Sequence, residues 1–302
     1  MAAKLWFKNL SCFALASFPA LSTEDLNELL EKEQFHPCGE LDREQHGFVR
    51  AYDQDMFVRK AGDAFWVQVK SEHKLLPGNV VKRLLQERVE QIQAKESRRV
   101  GKKEKKDLKE MLIEELLPKA LTAQSTVTAL IDPKAGYLFV DTAGAKKAEG
   151  VVSLLLRAVA GIDMARMNFD NSLAGKMADL LLAEENETAF TTDSALVLKG
   201  PGTPASTVRF AKFNLHEPEV AAHLTAGLRP TSMELTFNDR INFTLTEPFG
   251  IRKLNFLELV QEDLGAADGG NEDELIDSTL TIQVMELREL VRGLTDWLSD
   301  AQ

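Results

Sequence analysis

Eight basic side chains crowd into the fifteen residues from Lys95 to Lys109: Lys95, Arg98, Arg99, Lys102, Lys103, Lys105, Lys106 and Lys109. Only Glu96, Glu104 and Asp107 oppose them there. Such a cluster suits phosphate groups, because lysine and arginine displace the counterions condensed on a polyphosphate. On a helix beginning near Lys102, residues Lys102, Lys105, Lys106 and Lys109 recur at i, i+3, i+4 and i+7 and share one face. Leu108, Met111 and Leu112 lie on an adjoining arc, and the helix turns apolar through Ile113, Leu116 and Leu117. Its second half is therefore expected to dock while its first half projects charge. Cations at a helix N-terminus oppose the macrodipole by about 0.3–1 kcal/mol each. A cluster kept there has either a partner or weak constraint, and a solvated helix face is the competing reading.

Other chemistry is hard to place. No GxxxxGK[ST], no GxGxxG after a strand and no GxSxG elbow occurs. Gly200-Pro201-Gly202 lacks the lysine and helix that a phosphate loop needs, and reads as a plain turn. His36, Cys38 and His46 are too few and too irregularly spaced for a zinc site, and Cys12 is remote from them. Pro37-Cys38-Gly39 reads as a turn. His73, His216 and His223 are isolated, and the pairs Glu184-Glu185 and Asp273-Glu274 lie in polar segments. No enzyme, metal site or cofactor is expected.

The elements that must carry the basic cluster follow from hydrophobic spacing. Residues 4–15 read as a first strand and Thr23 opens an amphipathic helix. Phe57–Lys60 and Ala64–Lys70 form a hairpin about Ala61-Gly62-Asp63. Pro77 starts a helix with Val81, Leu84, Leu85, Val89 and Ile92 in register, Gly101 breaks it, and a second helix runs from about Lys102 to Leu117 before Pro118. The pair forms an antiparallel hairpin or one kinked arm. Strands are expected at Val127–Ile131 and Tyr137–Asp141, and helices at 145–158 and 172–183. Residues 184–206 are expected to be loop-rich. Val208–Leu215 should be a strand, Glu217–Ala226 a helix with Gly227 beyond it, and residues 233–256 an antiparallel meander. An acidic loop at 263–274 and a closing helix at about Met285–Leu298 finish the chain. The sum is α+β with mostly antiparallel strands and a projecting basic helical arm. The approximate divisions are 1–76, 77–121, 122–256 and 257–302.

The chain has 302 residues, 44% hydrophobic and 27% charged, which excludes a disordered or collagen-like chain. No apolar run spans a bilayer, Lys4 and Lys8 interrupt any leader-like stretch, and two cysteines fit a reducing compartment. A cytoplasmic protein is expected, with no membrane partner. The net charge of −11 argues against nucleic acid globally, but the charge is segregated. Residues 258–302 hold twelve acids and two bases. Acids on an outer surface and bases on a concave one would let an acidic protein hold DNA. No recognition helix, zinc finger or RNA-binding motif is visible, so base reading is not expected.

Several stretches resemble the bacterial RdgC family of recombination-associated proteins. They are Leu5-Trp6-Phe7-Lys8-Asn9-Leu10, Pro37-Cys38-Gly39, Leu75-Leu76-Pro77, Arg98-Arg99, Leu116-Leu117-Pro118-Lys119-Ala120, Ala145-Lys146-Lys147-Ala148-Glu149, Arg240-Ile241 and Lys253-Leu254-x-Phe256. Order and spacing are kept over nearly the whole chain, though residues 160–206 match poorly. The resemblance implies a nucleoid-associated protein that binds double-stranded DNA with little sequence preference. It implies a ring-shaped homodimer with a basic central hole, limiting the access of RecA to DNA, and no enzymatic activity. Arg98, Lys102, Lys105 and Lys109 match basic positions that face the hole in that family, with Arg99, Lys103 and Lys106 beside them. Lys212 also matches a basic position. Leu121 stands where the family often has an aromatic residue that resembles part of a dimer contact. The alternative is an adaptor whose basic arm grips an acidic protein without touching DNA.

Overall fold

The computed structural model describes residues 5–51, 55–167, 173–267 and 270–299. The described residues form an α+β fold around a continuous antiparallel sheet of twelve strands. The first half contains β1 (Asn9–Ser17), α1 (Thr23–Glu31), β2 (Glu44–Val49), β3 (Val58–Ala61), β4 (Ala64–Lys74), α2 (Gly78–Glu96), α3 (Lys102–Leu116), β5 (Thr122–Asp132), β6 (Tyr137–Val140) and α4 (Ala145–Ala158). The second contains β7 (Asp163–Arg166), α5 (Leu173–Leu182), β8 (Phe190–Lys199), β9 (Thr207–Phe210), α6 (Pro218–Thr225), β10 (Arg229–Phe237), β11 (Ile241–Thr246), β12 (Gly250–Phe256), α7 (Glu258–Ala267) and α8 (Glu272–Ser299). Strands run β2-β4-β5-β6-β1-β12-β11-β10-β8-β9, with β3 on β4 and β7 on β1. β1 is the shared strand. Asn9 and Leu10 pair with β12, while Ser11 to Ala14 pair with β6.

Side-chain alternation sets which face each strand buries. Phe65, Val67 and Val69 of β4, with Val127 and Ile131 of β5, pack against Leu26 and Leu30 of α1 and Leu154 and Leu155 of α4. The intervening Trp66 and Leu130 face the opposite way and join Leu280, Leu287 and Leu290 of α8 in a second core. That core also holds the interior of the meander, Met233, Leu235, Phe243 and Leu245. Each fully buried Leu or Phe contributes about 1.5–3 kcal/mol over an exposed one.

Charged groups tie α8 down along its length. Arg59 on β3, itself only 3% exposed, donates from Nε to Asp277 at 2.8 Å and from Nη2 to the Asp273 carbonyl at 3.1 Å. Arg240 grips Glu286 at 2.7 Å and Asp263 at 2.5 Å. Arg288 forms a two-pronged contact with the fully buried Asp132 of β5, the Nη2 arm at 2.8 Å. Gln283 accepts the Phe7 amide at 2.7 Å, so the last helix holds the start of the chain.

Five expectations are refined by the structure. The first strand begins at Asn9, because Leu5 and Phe7 turn in to the core instead. Residues 184–206 are loop-rich on either side of β8, but the apolar run expected at Ala195–Leu198 extends into a full strand, Phe190–Lys199, whose Thr191 and Thr192 pair with Thr236 and Leu235 of β10. The strand expected at Val208–Leu215 stops at Phe210, and Lys212 adopts φ +53. The acidic loop expected at 263–274 is the end of α7 and the start of α8, with a bend at residues 270–271 between them; residues 268–269 lie outside the described residues. The closing helix is twice the expected length. Its opening acids favour the helix dipole, and Asp273 and Asp277 meet Arg59. Several of the acids expected on an outer surface are therefore spent within the fold.

Glu72 gives the sheet a pH-dependent tie. Its buried carboxylate accepts from Gln124 Nε2 at 2.8 Å and from the Cys38 amide at 2.5 Å. These bonds favour the charged form and lower its pKa from 4.5 to about 2. A depressed acid contributes stability above its unfolded pKa and loses it as pH falls towards the folded value. The protection factor of the Cys38 amide in hydrogen exchange should therefore fall between about pH 4.5 and about pH 2. Glu72→Gln should remove that step, and a step of equal size in the variant would exclude Glu72 as its source.

Candidate nucleic-acid interface

The basic cluster sits on a helical hairpin that leaves the sheet between two paired strands. β4 ends at Lys74, which pairs with Thr122 at the start of β5. The Leu75 amide donates to the Leu121 carbonyl at 2.7 Å and closes the base. Between these points α2 runs out and α3 returns. Ser97 ends α2 in the left-handed region at φ +55, and the extended Gly101 precedes α3. Arg88 of α2 meets Glu115 of α3 at 2.9 Å, which fixes the hairpin as antiparallel. Val81, Val89, Val100, Leu112 and Leu117 supply its buried seam. Lys74 Nζ donates to the Leu117 carbonyl at 3.1 Å, where the α3 dipole favours a cation.

The charge begins at the far end of this hairpin and runs down α3 as far as Lys109. Arg99, Lys102, Lys103, Lys105 and Lys109 are exposed, and none forms an ion pair with a described residue. Arg98 differs. Its guanidinium is chelated by Glu104 at 2.6 and 2.7 Å and bonded to Glu96 at 2.6 Å. Those carboxylates raise its pKa and hold it across the α2–α3 turn. Lys106 faces Glu110 at 3.9 Å, an exposed i,i+4 pair. The seven arm residues named from sequence thus share one projection, two of them partly neutralised.

Lys212 stands apart. It is exposed on the turn after β9, the strand at the opposite end of the sheet order from the hairpin. Leu121 lies at the hairpin base and is 77% exposed, beside Leu75 at 44%. A cavity of about 540 Å³ opens at the same base, with Arg43, Lys74, Lys82 and Lys109 around a floor that includes Leu85 and Ile113. Arg43, just before β2, and Lys82 of α2 lie outside the basic cluster read from the sequence, and only the fold brings them beside Lys74 of β4 and Lys109 of α3. Among the described residues, no group of three or more His, Cys, Asp or Glu side chains is placed to hold a metal ion. No helix of the described residues is long and apolar enough to cross a membrane.

A family model described as "Putative exonuclease, RdgC" matches residues 5–301. The chain belongs to the RdgC family. It is 36% identical over 295 residues to the Recombination-associated protein RdgC of Laribacter hongkongensis, covering 96% of this chain and 97% of that protein. It is 29% identical to the proteins of the same name from Cupriavidus pinatubonensis and Pseudomonas aeruginosa, covering 97% of this chain in each case, and 98% and 97% of those proteins. These relatives are named for recombination, whereas the RdgC family model carries an exonuclease description. The resemblance drawn from the N-terminal hexapeptide and the LLPKA stretch is thereby shown for the whole described fold.

Proposed function

We propose that this RdgC-family protein binds double-stranded DNA without regard to sequence, as a ring-shaped homodimer, and limits access of the RecA recombinase to the duplex. The observation that carries this reading is the projecting hairpin, whose five unpaired cations face solvent in a protein of net charge −11. Such cations meet phosphates rather than base edges, which fits sequence-independent binding. The protein has no catalytic role in this reading, and works by occupying DNA on the nucleoid in the cytoplasm.

The spread of charge supports a dimer. Lys212 and the hairpin lie at opposite ends of one sheet, so a second copy is the economical way to bring both kinds of surface onto one duplex. A closed two-fold ring needs isologous contacts, and exposed Leu121 with Leu75 supplies an apolar patch for one of them. Light scattering should report about twice 33.6 kDa at micromolar concentration. Leu121→Ser should raise the dimer dissociation constant about tenfold or more, the scale of burying one Leu. An unchanged constant would remove Leu121 from the interface.

The reading is tested by fluorescence anisotropy with duplexes of unrelated sequence, in linear and circular forms. Similar affinities and similar salt slopes are expected on all of them. Binding should persist in a chelator and without nucleotide, and a labelled linear duplex should keep its length during incubation with magnesium. Progressive loss of terminal nucleotides would favour the exonuclease description.

A further inference from the structure

A second groove adjoins the cavity at the hairpin base and shares Arg43 and Lys74 with it. It measures about 630 Å³ and runs along the edge of the contact between α4 and the β2–β4–β5 face, where the packing of Val69 and Val127 gives way to half-buried Ser71 and Ser125. Its floor is uncharged, made by Val69, Ser71, Ser125 and Val127. Its rim is basic. Lys146 and Lys147 stand in the first turn of α4, which has no acid and no side-chain cap. This repeats the pattern of α3, where cations also sit at an uncapped helix start against the dipole.

Together the two connected hollows are lined by seven cations and three carboxylates. Two of those carboxylates are engaged: Glu44 binds Lys146 at 2.8 Å, and Glu72 holds the Cys38 amide and Gln124. Only Glu149 stands without a bond to a described residue. Arg43, Lys82 and Lys147 make no ion pair with a described residue. A positive path thus runs from Lys109 on the hairpin, past Lys82 and Arg43, to Lys147 on α4.

We propose that Arg43, Lys82 and Lys147 extend the phosphate-binding surface of the hairpin along this groove, so that one nucleic-acid backbone is followed across the hairpin base and onto α4. The inference rests on the DNA-binding reading above and adds residues that lie outside the 95–109 cluster. A rim with seven cations against one unengaged carboxylate, over the hydroxyls of Ser71 and Ser125, favours an anionic chain over an apolar protein segment. Spaced cations over an uncharged floor suit a regular anionic chain instead.

The test variant is Arg43→Ala with Lys147→Ala. Lys74 and Lys146 are left alone because they hold Leu117 and Glu44. Duplex binding is measured by anisotropy over a salt series, beside Lys102→Ala/Lys105→Ala/Lys109→Ala and the wild type. The groove variant should bind about tenfold or more weakly at 0.1 M salt, with a slope shallower by one to two units, at about 0.9 per phosphate. Wild-type affinity and slope in a folded groove variant, with the hairpin variant impaired, would overturn the track and leave the functional reading standing. No binding by the wild type would overturn both. A variant that weakens poly-glutamate binding but not duplex binding would reassign the groove to an acidic protein. Should the variant misfold, lysine acetylation of the wild type decides: duplex should protect Lys147 and not Lys199 on β8, and equal modification of Lys147 with and without duplex would overturn the track.

Discussion

Replacing Lys102, Lys105 and Lys109 with alanine is expected to weaken duplex binding by two to three orders of magnitude at 0.1 M salt. Each phosphate neutralised contributes about 0.9 to the log–log salt slope, so losing three contacts makes the slope shallower by nearly three units. The loss should be uniform across unrelated sequences, because none of the three is placed to read a base edge by any recognisable motif. Stability should change little. The three side chains are exposed and unpaired, and such substitutions usually stay within about 0.5 kcal/mol. Removing cations from the first turns of α3 even relieves an unfavourable dipole contact. Glu262→Gln with Glu272→Gln is the charge control, since both are exposed and pair with no described residue. A folded hairpin variant with wild-type affinity and slope would make the hairpin a solvated face and bring the adaptor reading forward.

The second large effect is on stability. Asp132 is fully buried at the end of β5, where it accepts from Arg288 of α8 and from the Ala135 amide at 3.0 Å. Asp132→Ala should cost about 3–5 kcal/mol, because it strands a partly buried guanidinium and orphans a turn amide. Replacing both partners, Asp132→Leu with Arg288→Met, should cost much less, since no uncompensated charge remains. Urea unfolding of the two variants checks this. A single variant within 1 kcal/mol of wild type would show that the contact does not fasten α8 to β5.

The hairpin was legible because its signals are local. Pro77, Gly101 and Pro118 punctuate it, and the lysine spacing gives α3 a charged face without reference to the rest of the chain. The meander was legible for the same reason, with β10, β11 and β12 alternating cleanly. What failed depends on distant partners. β2 has only two fully buried residues, and its Gly47 has no side chain to mark it as strand. That glycine is needed because a Cβ there would lie 2.3 Å from the Phe35 backbone. β8 alternates poorly and becomes a strand through β9 and β10 on either side. The first turns of α8 read as loop because their acids make sense only once Arg59, some 214 residues earlier, is beside them. Sites behaved alike. Of the residues proposed to meet phosphate, the lysines of 102–109 stand together in the sequence, while Arg43, Lys82 and Lys147 lie far apart along the chain and are brought to adjoining hollows only by the fold.

The bond between the Phe7 amide and Gln283 spans 276 residues and joins the first described turn to the last helix. On a ribosome the chain emerges from its N-terminus, and early segments begin to fold before later ones exist. Here every strand is made before α8 appears, yet the core that holds Trp66, Phe139 and the meander takes Leu280, Leu287, Leu290 and Leu294 from that helix, beside the smaller share supplied by α5. The nascent protein therefore carries an incompletely covered sheet until residues 272–299 have been made. A chain broken off before α8 would expose that face to aggregation and proteolysis instead of yielding a smaller working protein.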